Sequence, residues 1–289
     1  VLIGILAIGA AVLTMLALDH VRSGPTDGEH VAPVPTYSQP SEQSSAPTPT
    51  PTTRAAASYD RSEERFLATG SGVMWRGTAG RCGSAEPTLE RSSDGGETWE
   101  DVAPRYLGIG QLLSLSPFAD GQAEIIAAMG ADCEIQTLRT FTQGQFWESY
   151  PDALAASYYV DAADPSQIIG PDGGFAAPCP DARSLRTGDG LVAATCGGAA
   201  FVLADDDTWR QLPATGAAAL TISDGDVVVA QVDEACSGLA LARYSGASAE
   251  TATQAGCAAG SVPSAPTAIV LSDQRVHVWS GPDWDAVAE

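Results

Sequence analysis

Six cysteines, three histidines and many carboxylates are the residues here that could cross-link, hold a metal or move protons. The cysteines are Cys82, Cys133, Cys179, Cys196, Cys236 and Cys257. An even number, all in the later part of the chain, points to disulfides made in an oxidising compartment. Metal binding is the rival use, but no C-x-x-C pair occurs and His20, His30 and His277 are scattered. Asp205-Asp206-Asp207 and Asp224-Gly225-Asp226 offer hard oxygen ligands for Ca²⁺. Neither fits an EF-hand loop, and exposed turn carboxylates explain both better, so no metal and no cofactor is expected. The 36 Asp and Glu residues are abundant enough for a pair at glycosidase spacing to arise by chance. No G-x-S-x-G elbow, P-loop or H-E-x-x-H occurs. No catalytic residue is assigned, and binding is preferred to catalysis.

The elements that must carry these residues begin after a foreign N-terminal stretch. Val1 to Leu18 is apolar apart from Gly and one Thr, and as a helix it would span about 27 Å. A cleaved signal peptide competes with a membrane anchor, but Ala17-Leu18-Asp19-His20 is a poor cleavage site. Residues 1–22 are therefore expected to be a transmembrane signal anchor, single-pass in the plasma membrane. Asp19, Asp27 and Glu29 against a lone Arg22 place the downstream side outside the cytoplasm. Residues 23–58 are rich in Pro, Ser and Thr and too poor in large apolar side chains to offset their ordering entropy. They read as a disordered linker, with Ala46 to Thr53 favouring polyproline II. A short helical turn is expected within Ala55 to Arg65. Residues 59–289 remain as the extracytoplasmic domain. All 14 basic residues are Arg; the absence of Lys and Asn suggests a GC-rich bacterial genome. A net charge of −22 argues against nucleic acid as a partner.

From Phe66 onward, short β-type runs alternate with turns such as Asp120-Gly121, Asp189-Gly190 and Asp224-Gly225. One stretch, Ser92-Ser93-Asp94-Gly95-Gly96-Glu97-Thr98-Trp99, has a mechanical reason at each place. Ser92 and Asp94 can accept backbone N–H bonds inside a tight turn. Gly95 and Gly96 suit positive φ, and Trp99 covers the turn as the chain returns. The strand starting at Trp99 has counterparts at Trp147, Trp209 and Trp284, each after a polar turn. A Trp-less unit fits Leu220 to Cys257, which makes five units, and Tyr158 to Asp181 leaves room for a degenerate sixth. A different antiparallel sandwich with coincidental Trp spacing is the competing architecture.

The Ser92–Trp99 stretch and these repeats resemble the Asp-box (BNR) β-propellers, a family spanning sialidases, photosystem II assembly-factor-like propellers and many bacterial surface proteins. The resemblance implies an all-β domain, a β-propeller of five blades or six, over roughly Phe66 to Glu289. It gives Ser92, Asp94, Gly96, Thr98 and Trp99 a structural role. Its blade map places all six cysteines on one face, opposite the Asp-box turn, and implies the pairs Cys179–Cys196, Cys236–Cys257 and Cys82–Cys133 among the 15 that sequence alone permits. The same map puts Arg105, Tyr106 and Tyr150 in loops of that face, where they suit ligand contact. Trp75 and Trp279 are assigned to packing between blades. A sialidase would need three Arg and a Tyr–Glu pair; Arg76, Arg105, Arg139, Arg183, Arg210 and Arg243 are available, with Tyr106, Tyr158 and Tyr244. The Arg-Ile-Pro signature of sialidases is missing, so no catalytic role is carried over. The expected function is a membrane-tethered module that binds or scaffolds a protein or cell-envelope glycan. The alternative is a sialidase-like glycoside hydrolase, and a third reading is a sensor or assembly subunit.

Overall fold

The computed structural model describes residues 59–205, 207–246 and 250–289. The expected anchor and linker lie outside the described residues, as does Asp206. Among the described residues no helix is long and apolar enough to cross a membrane. The chain enters through a 3₁₀ turn at Arg61–Glu63, capped by Asp60 and Glu63 in a reciprocal capping box.

Six antiparallel meanders follow. Blade 1 is β1 (Arg65–Gly70), β2 (Val73–Thr78), β3 (Thr88–Ser92) and β4 (Glu100–Asp101). Blade 2 is β5 (Ile109–Ala119), β6 (Gln122–Met129), β7 (Glu134–Thr140) and β8 (Glu148–Ser149). Blade 3 has three short strands, β9 (Tyr159–Val160), β10 (Gln167–Gly170) and β11 (Gly173–Ala176). Blade 4 is β12 (Ala182–Gly188), β13 (Leu191–Cys196), β14 (Ala199–Leu203) and β15 (Trp209–Gln211). Blade 5 is β16 (Ala219–Ser223), β17 (Asp226–Gln231), β18 (Leu239–Ser245) and β19 (Thr253–Ala258). Blade 6 is β20 (Thr267–Ser272), β21 (Arg275–Ser280) and β22 (Asp283–Ala288). The first strands touch in the closed order β1, β5, β9, β12, β16, β20 and back to β1. This is a six-bladed β-propeller. The five blades favoured from sequence are corrected to six, because the segment around Tyr158 to Asp181 forms a small blade of its own.

Side chains alternate across each strand, so a blade packs on both neighbours. In β17, Val227 and Val229 join the core shared with blade 4, while Val228 and Ala230 join the core shared with blade 6. A strand buried on both faces reads as a continuous β-branched run, as this one does. Apolar clusters of this kind fill five of the six seams. Among the described residues the seam between blades 2 and 3 has none, and Phe118, Phe141 and Phe146 are exposed on blade 2.

Among the described residues the ring closes without exchanging a strand, since β1 and β20 each begin their own contiguous blade. Leu67 and Met74 meet Ala268 and Val270 across this seam, with Trp99, Trp279 and Trp284 packed around them. Arg65 lies 4.0 Å over Trp279, Arg76 lies 4.1 Å over Trp99, and Trp99 meets Trp284 edge-on at 5.3 Å. Each such cation–π contact contributes about 0.5–2 kcal/mol.

The Ser92–Trp99 turn is held by its own side chains. Ser92 Oγ accepts the Gly96 N–H (2.9 Å), and the Asp94 carboxylate accepts the N–H and hydroxyl of Thr98. These bonds, led by the Thr98 hydroxyl, hold the Asp94 carboxyl well below the usual carboxylate range. Blade 2 repeats the pattern with different residues. Thr140 Oγ1 accepts the Gly144 N–H (2.8 Å), Thr142 Oγ1 accepts the Phe146 N–H (2.9 Å), and Trp147 Nε1 donates to Gly144 O (3.1 Å). A Cβ on Gly96 would lie 2.6 Å from Trp284 of blade 6, and one on Gly144 would lie 2.6 Å from Val102 of blade 1. In both cases the turn glycine is where the preceding blade comes closest. Trp99, Trp147 and Trp209 occupy equivalent places before or at the fourth strand. Trp284 does not: it stands on β22, a third strand, because blade 6 has no fourth among the described residues.

Gly144→Ala combines positive-φ strain with a clash against Val102 and is expected to cost about 2–4 kcal/mol in urea unfolding. Gly72→Ala, also at positive φ but facing open space, should cost only about 1–2 kcal/mol; equal losses would show that the blade contact is unimportant. At the closing seam, burial and Arg275 hold the His277 imidazole below its ordinary value of 6.5. The unfolded chain therefore takes up this proton first, and stability present above pH 6.5 is lost as pH falls below it. His277→Leu should flatten the melting temperature between pH 7 and 5.5 relative to the parent.

Candidate functional site

Cys82, Cys133, Cys196 and Cys236 lie at or between second and third strands, Cys257 ends a fourth strand, and Cys179 precedes a first strand. In an antiparallel meander these positions share one face of the ring. Three disulfides form there: Cys82–Cys133 between blades 1 and 2, Cys179–Cys196 from the entry of blade 4 to β13, and Cys236–Cys257 within blade 5. They are the pairs given by the blade map. With partners 17 and 21 positions apart in sequence, each of the latter two contributes about 3 kcal/mol in the chain-entropy model.

These two cystines flank a cavity of about 780 Å³ on the same face. Its walls are the Cys179–Arg183 entry to blade 4, the Gly197-Gly198 turn, Gly216 to Ala218, the β17–β18 loop around Asp233 to Gly238, and Pro263 to Ala265 before blade 6. Tyr59 completes the rim. The volume is within the range of small-ligand sites. Because loops rather than strands form the walls, the cystines are what fix their spacing.

Beside the cavity runs a charged network built on an irregularity in β12; Tyr59, Asp181 and Arg183 of this network line the cavity, whereas Arg61 and Glu64 line a separate small pocket. The pairing of β12 with β13 shifts between Arg183 and Arg186, and Ser184 takes φ +47°. That bulge turns the Ser184 N–H towards Glu64 Oε1 (2.8 Å). Glu64 is 5 % exposed and its other oxygen accepts from Arg61 Nη1 (3.1 Å). Arg61 Nη2 reaches across to Asp181 Oδ1 and Ala182 O, both at 2.6 Å. Arg183 grips Asp181 through Nε (2.9 Å) and Nη2 (2.8 Å), and its guanidinium lies 4.6 Å from the Tyr59 ring. Burial pushes the Asp181 carboxyl up, but the bonds from Arg183 and Arg61 outweigh it and hold the group below its ordinary value. Burial, with Glu64 beside it, pushes the Tyr59 phenol up to about 12.

Tyr59, Glu64 and the guanidinium groups of Arg61, Arg183 and Arg186 thus bring together the residue types a sialidase-like site requires. Their geometry is that of a tie. Both Glu64 oxygens are taken, Arg61 is spent on protein acceptors, and the raised Tyr59 pKa opposes use as a nucleophile. Of the arginines named from sequence only Arg183 belongs to the cluster. The run Arg61-Ser62-Glu63-Glu64-Arg65 was legible only as a helical turn, since the partner of Glu64 is 120 residues away.

The three loop residues expected to contact ligand lie apart from this cavity. Arg105 pairs with Asp101 in the link from blade 1 to blade 2. Tyr106 is 62 % exposed, yet its hydroxyl accepts the Trp147 N–H (2.6 Å) and so clamps blade 2. Tyr150 belongs to the aromatic group on blade 2, 5.7 Å from Phe141 and 5.3 Å from the Arg139 guanidinium. Trp75 is fully buried and meets Trp147 edge-on at 6.2 Å. Among the described residues no group of three His, Cys, Asp or Glu is placed to hold a metal ion.

No family model matches the sequence, and no curated protein matches it. Several solved structures resemble the fold. YCF48 bound to D1 peptide has 16% identity and a TM-score of 0.40, over 77% of this chain and 74% of that one. The native arabinanase Arb43A of Bacillus subtilis has 10% identity and a TM-score of 0.40, over 80% and 94%. An α-L-arabinofuranosidase of Clostridium thermocellum has 10% identity and a TM-score of 0.39, over 74% and 80%. Likeness at this level carries nothing about ligand or activity.

Glu64→Ala leaves Arg61 Nη1 and the Ser184 N–H without their acceptor and is expected to cost about 3–5 kcal/mol of stability. Glu64→Gln, which keeps an acceptor oxygen, should cost clearly less. Equal and small losses in thermal unfolding would show that the network does not hold the entry turn to blade 4.

Proposed function

We propose that this chain is a membrane-tethered, extracytoplasmic β-propeller that binds a protein segment or a cell-envelope glycan without chemical change. The reading rests on one observation, the cavity framed by the Cys179–Cys196 and Cys236–Cys257 cystines. A binding surface made of loops must be held rigid to avoid an ordering cost when ligand arrives, and cross-links at its walls supply that. Three disulfides with no free thiol also suit an oxidising compartment. The apolar run at 1–22 and the Pro/Thr-rich 23–58 support tethering and a stalk. The side-chain bonds within Ser92–Trp99 support placing the domain with the Asp-box propellers.

A sialidase-like hydrolase is the second reading, favoured by the gathering of Tyr59, Glu64 and three guanidinium groups and opposed by how fully they occupy one another. The experiment that separates the two is binding and turnover by the full chain on arrays of envelope glycans and peptides. Ser237→Trp and Ser264→Trp place bulk in the cavity from exposed positions. They are expected to abolish binding with an unchanged melting temperature. Ligand retained by both variants would move the site elsewhere, and release of free sugar would establish the hydrolase.

A further inference from the structure

Blade 2 exposes a group of aromatic rings. Phe118 and Phe141 are 45 % and 49 % exposed, their rings meet edge-on at 5.7 Å, and Tyr150 lies 5.7 Å beyond Phe141. The Arg139 guanidinium sits between Phe118 (5.2 Å) and Tyr150 (5.3 Å), and Glu124 meets its charge at 2.6 Å. Glu124 pairs with Arg139 one position from the Ile125–Leu138 pair, which belongs to the core shared with blade 1. Side chains alternate along a strand, so Arg139 and the rings around it lie on the side away from blade 1. Three rings locked around a paired cation form a firm strip without net charge. Exposed apolar patches of this kind mark interaction sites.

The chain carries a segment suited to cover it. Residues 1–58 precede the described domain, and Val31 to Pro40 within them holds no charged residue. Pro33, Pro35 and Pro40 favour polyproline II there. That helix repeats every three residues, so Val31, Val34, Tyr37 and Pro40 fall on one side as an apolar stripe. Pro47, Pro49 and Pro51 recur at every second residue and share no such side. Aromatic surfaces take polyproline II segments because the helix is preformed and loses little entropy on docking. An acidic partner would be opposed by the net charge of −22, whereas this neutral segment is not. The chain from Pro40 to Tyr59 can reach about 60 Å at about 3.1 Å per residue. That exceeds the breadth of a ring of three- and four-stranded blades whose strands lie about 4.8 Å apart.

We propose that Val31 to Pro40 of the same chain docks as a polyproline II segment on Phe118, Phe141 and Tyr150. One turn advances about 9 Å, which sets Val34 and Tyr37 to either side of the Phe141 ring. The free part of the stalk is thereby shortened, and the domain is clasped by its own leader. This surface is apart from the cavity and independent of the binding reading above.

The test is photo-crosslinking of the purified full chain carrying Tyr37→p-benzoylphenylalanine, with the products mapped by mass spectrometry. The main product is expected within one chain, between position 37 and peptides containing Phe118, Phe141 or Tyr150. Val34→Ser, on the stripe, should lower its yield at least about fivefold, and Ala32→Ser, off the stripe, should leave it unchanged. Phe118→Ser with Phe141→Ser should lower it as far, and the melting temperature should hold because both rings are exposed. Crosslinks joining two chains, resolved by mixing heavy and light isotope forms, would assign the surface to a second copy and overturn docking within one chain. Crosslinks scattered over the blades, or equal yields from Val34→Ser and Ala32→Ser, overturn it too. None of these results bears on the cavity, whose own test stands separately.

Discussion

Everything in this ring depends on how closely a blade's outer turn can approach the blade before it. At Gly96 and Gly144 there is no room for a single carbon between the turn and its neighbour. The turn must therefore be built by residues that close it without bulk at that point. Ser92 with Asp94, and Thr140 with Thr142, do so by accepting the backbone N–H groups that would otherwise be orphaned. The following indole then fastens the joint: Trp147 Nε1 donates to Val102 O of blade 1, and Trp209 Nε1 to Ala176 O of blade 3. These contacts set how closely blades 1, 2 and 4 approach the blade before each of them.

The same constraint accounts for the weak point and for the site. Blade 3 has short, glycine-containing strands and leans on blade 4, where Phe175 stacks on Trp209 at 6.3 Å. It shares no apolar cluster with blade 2 among the described residues; Ile126 and Ala128 of blade 2 are nonetheless buried, and Phe118, Phe141 and Phe146 stay exposed. Across the axis, the N-terminal turn compensates by anchoring to blade 4 through Arg61 and Glu64. A bulge at Ser184 is the local distortion that makes this possible, and it also directs Arg183 to the cavity. Strain, charge and the cystine-braced loops are thereby concentrated in one place, as is usual where a surface has work to do.

Much of the architecture could be read from the chain because it is written in local patterns. A tight turn with Ser, Asp, Gly and Trp at fixed offsets carries its own hydrogen bonds, and the cysteine positions follow once strands are counted. The blade 2 turn was underread, since Thr140 and Thr142 preserve the acceptors while changing the letters. Blade 3 was hidden by strands of two to four residues, too short for periodicity to register. Trp284 misled because its neighbours imitate an outer turn although it sits one strand further in. The axial network was illegible: Glu64 with Ser184, and Arg61 with Asp181, are joined only by the closure of the ring. Arg105, Tyr106 and Tyr150 were placed by the blade map in loops of the cystine face, and a face assignment does not report which loops border a cavity.

The entry of the chain has a mechanical corollary. Arg61 grips Asp181 and Ala182, so a pull on the backbone ahead of Tyr59 is delivered across the diameter to blade 4. The same entry is tied to blade 1, where Arg81 pairs with Asp60 and Ser62 O accepts the Gly80 N–H (2.9 Å). A load entering at Tyr59 is thereby divided between two opposite walls of the ring instead of falling on β1 alone.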